Sequence, residues 1–192
     1  SQSSRSLSAL LVVSVAAGMT IEQMPNWFGR ATAVVRGMPN TPALIGKGAS
    51  GLYANKHVTD VQKQLAQSLM EAVGIIVWVD DENDIDTVTA VSGSGPAYFF
   101  LFMEAMQDAA KELGLPEDLA KQLVYQTASG AADLAIQSKD STAELRRKVT
   151  SPGGTTERAI KKFEAGEIRK LVNSALVEAK TRSIELSKEL KS

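Results

Sequence analysis

Residues 75–83, Ile-Ile-Val-Trp-Val-Asp-Asp-Glu-Asn, divide the sequence into two parts with different periodicity. The apolar run at 75–79 predicts a strand, and the acidic residues after it predict a turn. Strand and helix patterns alternate before this point, and only helical patterns follow it. We therefore expect an α/β domain at residues 1–83 and an all-helical domain at residues 84–192.

The first part has the pattern of a partial Rossmann-like sheet. The unbroken, β-branched run at 10–15 predicts a fully buried strand, and a short helix is predicted from Ile21 to Phe28. A Rossmann domain usually opens with a strand, a glycine-rich turn and a helix, and nothing upstream of Leu10 fits that unit. Either the chain lacks the N-terminal half of such a domain, or its α/β part is a small independent sheet. The other predicted elements are strands at 32–36, 48–55 and 75–79 and an amphipathic helix at 58–72.

The second part has helical apolar spacing throughout. The segment 97–110 is apolar on nearly every face, so this helix must be covered on all sides. The predicted helices span residues 97–110, 116–137, 141–148, 156–165 and 167–190.

The composition of the 192 residues excludes several classes of function. A net charge of -1 creates no global field that would attract nucleic acid or an anionic membrane. No apolar run reaches the roughly 18–20 residues that a membrane span needs. The chain has no cysteine, and its one histidine is His57, so we expect no thiolate chemistry and no metal site. We expect a cytoplasmic protein without nucleic-acid or membrane partners.

The segment Ser151-Pro152-Gly153-Gly154-Thr155-Thr156 joins two predicted helices. Its glycines let the chain turn sharply, and either threonine can cap the next helix. The start of that helix offers free N–H groups and the positive end of the helix dipole, which suit a small carboxylate. No lysine follows the glycines, so the segment is not a P-loop. On spacing alone, an ordinary capped turn between helices is the simpler interpretation.

Three other segments lie at the ends of predicted elements. Residues 14–18 and 36–42 each follow a strand, and ligands of open α/β sheets bind outside the carboxyl ends of strands. Each of these segments can also be a loop without function. Residues 92–98 lack the third glycine of a dinucleotide fingerprint, so we interpret them as the tight entry to a helix. The carboxylates at 80–86 form no convincing acid–base pair and are most simply a solvated linker.

The order and spacing of these four segments resemble pyrroline-5-carboxylate reductase, and residues 149–156 are the most specific of them. The similarity runs from about Leu10 to the C-terminus. The resemblance implies an oxidoreductase that reduces 1-pyrroline-5-carboxylate to L-proline with NADPH or NADH, the last step of proline biosynthesis. It also implies a Rossmann dinucleotide-binding domain and a helical domain that forms an interlocked homodimer, with five dimers assembling into a homodecamer.

The resemblance also assigns site residues. The segment after Val149 would bind the substrate carboxylate through backbone amides and Ser151, and Thr156 would be the catalytic residue that reaches the imine nitrogen. No metal ligand is assigned. The implied substrate-binding residues are Val149, Thr150, Ser151, Gly153, Gly154, Thr155 and Thr156, and the implied cofactor-binding residues are Ala16, Ala17, Met38, Pro39, Asn40 and Thr41.

Two other functions remain open. A helical oligomerisation module without catalytic activity would also use the apolar helix at 97–110 and the small residues at 128–132. Another imine or β-hydroxy-acid reductase would share the two-domain plan. Such enzymes typically rely on a lysine or aspartate in the long helix, and the sequence offers no clear candidate for it.

Overall fold

The computed structural model describes residues 10–24 and 32–190 of the chain. The described residues form two compact units, one within Ser1–Pro96 together with Ala175–Ser192 and the other within Ala97–Ser174. The domain boundary predicted after Asn83 stays a prediction. Among the described residues, no helix combines the length and apolar character that crossing a membrane requires.

The first unit contains a four-stranded sheet in the order β1-β2-β3-β4. β1 runs parallel to β2, and β3 runs parallel to β4, whereas β2 and β3 are antiparallel. Helix α1 connects β3 to β4, as a parallel connection requires. The bounds are Leu11–Ser14 for β1, Ala33–Met38 for β2, Gly48–Ala54 for β3, Asp60–Glu71 for α1 and Gly74–Trp78 for β4.

The core of this unit lies between the sheet and α1. Val35, Leu52 and Ala66 are fully buried, and side chains of β1 and β4 pack against them. Thr59 caps α1, because its hydroxyl accepts a hydrogen bond from the Gln62 amide (3.3 Å). The predicted strands and the amphipathic helix are confirmed to within one or two residues, because the apolar residues on which those predictions depend form this core.

Two predictions about the first segment are wrong. β1 is half-buried rather than fully buried, because in the described part of the chain it lies at the edge of the sheet and pairs only with β2. The helix expected from Ile21 is a single 3-10 turn, Ile21–Gln23, and the extended backbone of Met24 ends it. The rest of that predicted helix, including Phe28, lies outside the described residues.

Helices follow the sheet, as the sequence predicts. α2 (Asp84–Val88) continues into one π-helical turn at Thr89–Gly93. The predicted long helices are confirmed to within about two residues. They are α3 (Gly95–Glu112), α4 (Glu117–Gln137), α5 (Thr142–Lys148), α6 (Thr155–Ala165) and α7 (Ile168–Glu189).

Helix α3 combines one packed face with a large exposed apolar surface. The ring of Phe102 packs against Phe163 of α6, with centroids 6.0 Å apart. Phe99 is 69% exposed, and Phe100 and Leu101 are exposed to a similar degree. The described residues of one chain therefore do not cover this helix on all sides, although its apolar sequence requires such cover. A contiguous apolar surface of this kind usually marks an interaction site.

Candidate functional site

The turn between α5 and α6 carries the predicted substrate residues. Val149 follows the last residue of α5 and is 63% exposed. Gly153 has a φ of 73°, a left-handed conformation that glycine adopts without strain. The Gly154 amide donates to the Ser151 carbonyl (3.0 Å), which closes the turn just before α6 begins. The Ser151 side chain is exposed, and Thr156 is half-buried in the first turn of α6.

Free backbone donors lie at the start of α6. The N-cap is Gly154, which has no side chain to accept from the amides of the first helical turn. The Thr155 and Thr156 amides have no acceptor among the described residues, as is general for the first amides of a helix. The Gly153 amide, in contrast, donates to Oε2 of Glu157 (2.7 Å). The turn can thus offer two adjacent amides, and the Ser151 hydroxyl beside them, to a small anion.

The hydroxyl of Thr150 serves the fold instead. It donates to the Arg146 carbonyl (2.6 Å), and the Thr150 amide donates to the Arg147 carbonyl (3.1 Å). Both bonds go to carbonyl groups at the C-terminal end of α5, which also accept from the Val149 amide. Binding of a substrate by Thr150 stays a prediction from the resemblance.

The charged side chains around this turn are paired with one another. Each basic residue that ends α5 has a carboxylate partner: Arg146 contacts Glu164 (3.6 Å), Arg147 pairs with Glu144, and Lys148 pairs with Asp140 (2.5 Å). The Lys148 bond lowers the pKa of Asp140 below its ordinary value. These cations are therefore partly neutralised, and attraction for an anion at the turn comes mainly from the amides at the start of α6.

The carboxylate of Glu157 lies close to those amides. Glu157 forms an ion pair with Lys161 (2.9 Å) one turn further along α6. The Lys161 bond and, after it, the Gly153 amide hold the pKa of Glu157 below its ordinary value, so this carboxyl is ionised at neutral pH. An anionic ligand at the turn would meet the negative charge of Glu157 as well as the free amides.

The predicted cofactor segments lie side by side at one edge of the sheet. Ser14 at the end of β1 is in register with Arg36 of the parallel strand β2. A methyl group on Gly37 would lie 3.6 Å from Cγ1 of Val15, so the chain after β1 runs directly beside the end of β2. The structure thus brings the two segments together at the carboxyl ends of parallel strands, where ligands of such sheets bind.

The chain after β1 forms an exposed ledge of small side chains. Val15, Ala16 and Ala17 are all exposed, and the two alanines project only a methyl group. A flat ring can approach the backbone of such a ledge closely. The residues present therefore fit the nicotinamide end of a dinucleotide.

The loop after β2 is anchored by its own asparagine. The side-chain oxygen of Asn40 accepts from the Ala49 amide (2.9 Å), and its nitrogen donates to the Ser92 carbonyl (3.0 Å). The Met38 side chain packs against Gly93, where a methyl group would lie 2.7 Å from Cε of Met38. This close packing agrees with the interpretation of residues 92–98 as a tight entry to α3.

The remaining cofactor candidates occupy the same loop. Pro39 is half-buried, and Thr41 is exposed at the start of a 3-10 turn, Thr41–Ile45. The sequence could not reveal the anchoring role of Asn40, because it also depends on Ser92, which is 52 residues away along the chain.

Two carboxylates that the sequence predicts to lie in a solvated linker instead form hydrogen bonds that hold the fold together. Glu82 accepts from Nη1 of Arg36 (3.1 Å) and from the Ile21 amide (2.8 Å). Asp86 is buried and accepts from the hydroxyl of Ser183 in α7 (2.6 Å). The linker interpretation is wrong for both residues. The signal that could have found the first is a single arginine within the apolar strand β2, since a buried guanidinium requires a partner.

The described residues include no group of three or more His, Asp or Glu side chains arranged to hold a metal ion.

Comparison with known proteins relates these features to one family. Residues 82–186 match the family model described as pyrroline-5-carboxylate reductase dimerisation. The chain is 56% identical over 180 residues to a pyrroline-5-carboxylate reductase of Pseudomonas aeruginosa, an alignment that covers 94% of this chain and 66% of that protein. It is 41% identical over 177 residues to the pyrroline-5-carboxylate reductase of Pisum sativum, covering 92% of this chain and 64% of that protein.

Solved structures agree with these sequence matches. A pyrroline-5-carboxylate reductase from Coxiella burnetii superposes with a TM-score of 0.91 at 49% identity, covering 95% of this chain and 67% of that one. A Plasmodium falciparum pyrroline carboxylate reductase with NADP bound superposes with a TM-score of 0.85 at 33% identity, covering 94% of this chain and 71% of that one.

The chain spans slightly less than two thirds of the length of the curated relatives it matches, 66% in the case of the Pseudomonas protein. Over that span the sequence identity, the superposition and the family model all agree. We conclude that this chain belongs to the pyrroline-5-carboxylate reductase family.

Proposed function

We propose that the protein containing this chain reduces 1-pyrroline-5-carboxylate to L-proline, the last step of proline biosynthesis, with NADPH or NADH. The observation that carries the proposal is the open turn before α6, where the Thr155 and Thr156 amides are free and the Ser151 side chain is exposed. It occurs in a chain 56% identical to a protein named for this reaction.

The residues of the turn have complementary tasks in this proposal. The substrate carboxylate accepts hydrogen bonds from the free amides and from the Ser151 hydroxyl. The other residues that the resemblance assigns line the turn, namely Val149, Thr150, Gly153 and Gly154. The ring nitrogen of the imine, when protonated, donates to the hydroxyl of Thr156. These two anchors, at the carboxylate and at the neighbouring ring nitrogen, fix which face of the imine carbon is presented.

The cofactor would bind at the edge of the sheet. The ledge at Ala16 and Ala17 and the loop Met38–Thr41 would hold the nicotinamide end. A nicotinamide cofactor, when bound, would supply the hydride that adds to the imine carbon, the atom that becomes C5 of proline. Because a protonated imine is already electrophilic, the protein needs to contribute mainly position and orientation, which can account for a large share of such a barrier. This explains why the reaction can proceed without a strong acid–base pair.

The apolar surface of α3 supports a homodimer formed through the C-terminal helices. Phe99 and Phe100 are more than half exposed in the single chain, within the residues that match the dimerisation model. A second copy would cover this surface. We further propose that five dimers form a decamer, that the protein is cytoplasmic, and that it has no nucleic-acid or membrane partner. The domain limits in this proposal are 1–83 for the dinucleotide-binding part and 84–192 for the helical part.

The test uses a protein of full family length that carries this chain. We expect it to oxidise NADPH or NADH only when 1-pyrroline-5-carboxylate is added, and to form proline that mass spectrometry detects. A protein that assembles into dimers in the ultracentrifuge but never oxidises either cofactor would instead favour the oligomerisation module. We also expect little hydride transfer from the 192-residue chain alone.

A further inference from the structure

The ledge at Ala16 and Ala17 has few bonds of its own. Both side chains are exposed, and the Ala16 amide has only a long bond to Oγ of Ser14 (3.4 Å). The position of the ledge must therefore be set at its two flanks. The N-terminal flank is β1, which the ladder with β2 fixes. The C-terminal flank is the segment 18–23, and its anchors are side chains from distant parts of the chain.

Glu82 provides one anchor of the C-terminal flank. A single oxygen, Oε1, accepts from the Ile21 amide (2.8 Å) and from Nη1 of Arg36 (3.1 Å). The Arg36 side chain is 4% exposed and that of Glu82 is 24% exposed. Arg36 is also the residue in register with Ser14, where β1 ends. Glu82 thus connects Ile21, which follows the ledge, to β2, the strand that lies beside the residues before the ledge.

The last turns of α7 provide the other anchor. Gly18 is buried with a φ of 74°, and a methyl group there would lie 3.3 Å from Cδ1 of Leu190 and 3.6 Å from Cβ of Leu186. The side-chain oxygen of Gln23 accepts from the Thr20 amide (2.8 Å), and its nitrogen donates to the Ser187 carbonyl. Packing by α7 fixes where the segment lies, while the Glu82 bond fixes its alignment with the sheet.

We propose that Glu82 is a positioning residue that holds the Ala16–Ala17 ledge in the shape that receives the nicotinamide end of the dinucleotide. This inference rests on the proposed function. Glu82 acts through Ile21 and does not itself contact the cofactor. Loss of the acceptor at Ile21 would release one flank of the ledge, and displacements of about 1 Å at a reacting group can cost on the order of a hundredfold in rate.

The experiment separates the Ile21 bond from the ion pair. In a protein of full family length that carries this chain, Arg36→Met is combined with either Glu82→Gln or Glu82→Met. Both double variants lack the ion pair and leave no buried guanidinium without a partner. Only the glutamine variant keeps an oxygen for the Ile21 amide, and the two side chains are similar in length. Fluorescence titration gives the dissociation constant of the dinucleotide, and steady-state kinetics give kcat and the KM for the imino acid.

We expect dinucleotide binding to be about tenfold weaker in the Glu82→Met pair than in the Glu82→Gln pair, with the same KM for the imino acid and similar Tm values. Equal dissociation constants in the two pairs would overturn the inference. A fall in Tm with parallel losses in cofactor and imino-acid binding would also overturn it, because that result describes general loosening of the fold. If the unmodified protein binds no dinucleotide, the proposed function fails first and the inference fails with it.

Discussion

The two regions assigned to ligands are built in opposite ways. The edge of the sheet is fixed by long-range contacts, such as Asn40 bonded to Ser92, and Glu82 bonded to Arg36. The turn before α6 is closed by bonds between residues at most four apart, and most of its side chains are exposed. Free amides are available at the turn because so little packs against it. Changes at the turn should therefore affect function more than stability, whereas loss of Asn40, which anchors a loop at the sheet edge, should affect both.

The largest effect should come from adding a methyl group where two strands meet. Gly74 has a φ of 152°, and a Cβ there would lie 2.1 Å from the Gly48 carbonyl oxygen. We expect Gly74→Ala to lower the free energy of unfolding by about 3 kcal/mol or more, because neither backbone can move aside. Urea unfolding of a protein of full family length measures the change.

Two glycines that meet nothing within 4 Å are matched controls. Gly153→Ala in the open turn should cost only about 1–2 kcal/mol, the strain of a left-handed conformation. Gly130→Ala, inside α4, should stabilise by about 0.5–1 kcal/mol, since alanine is the better helix former. If Gly74→Ala were as stable as Gly153→Ala, the claim that the sheet tolerates less change than the turn would be wrong.

Thr156 tests whether function can be lost at the turn before α6 without loss of stability. Its hydroxyl has no hydrogen-bond partner among the described residues, so the fold should not need it. We expect Thr156→Ala to lower kcat/KM for 1-pyrroline-5-carboxylate by about a hundredfold, on the scale of losing one positioned hydrogen bond at a reacting centre. Thermal unfolding should be unchanged.

Three variants complete this test. Thr156→Ser keeps a hydroxyl and should recover much of the rate. Thr142→Ala removes an exposed threonine from the first turn of α5 and should alter neither rate nor Tm. Full turnover by Thr156→Ala would remove this residue from the proposed site.

Asn40 should show the coupling of stability and function at the sheet edge. Asn40→Ala leaves the Ala49 amide and the Ser92 carbonyl without their partner, which should cost about 1–3 kcal/mol. Because the loop Met38–Thr41 then loses its anchor, dinucleotide binding should also weaken several-fold. Chemical unfolding and fluorescence titration give the two quantities.

Asn55 is the matched control for Asn40. It bridges Thr32 and Val34, at the opposite end of β2 (3.0 and 3.2 Å). Asn55→Ala should lower the stability by a similar amount and leave cofactor affinity unchanged. A comparable loss of affinity in both variants would mean that affinity follows overall stability rather than the position of the loop.

The same contrast decides what the sequence could predict. The bounds of α4 and β3 follow from apolar spacing and from the glycines and prolines beside them, which are local properties. The Ser151–Thr156 turn was found for the same reason, because its geometry depends on neighbouring residues. Its role as a substrate site is proposed from the resemblance, because spacing alone favours an ordinary turn between helices.

The structural roles of Asn40, Glu82 and Asp86 could not be predicted. Each depends on partners more than 40 residues away in the sequence, which local periodicity does not encode: Asn40 with Ser92, Glu82 with Arg36, and Asp86 with Ser183. The antiparallel pairing of β2 and β3 is a long-range feature of the same kind. An acidic run therefore had the pattern of a linker although two of its members hold the sheet unit together.

The smallest effect should come from Glu157, the carboxylate beside the free amides. Its pKa lies below the ordinary value because it bonds to Lys161 and to the Gly153 amide. A group with a lowered folded-state pKa stabilises the turn above its unfolded pKa, and the contribution is lost as the pH falls through the folded value. The midpoint of the pH-dependent change in the amide shift of Gly153 should therefore lie below about 4.3, the ordinary pKa of a glutamate. In Glu157→Gln the shift should not titrate, and the substrate should bind about twofold more tightly, because the negative charge near its carboxylate is gone. A midpoint above about 4.3 in the unmodified protein would contradict the bonds that the structure assigns to this residue.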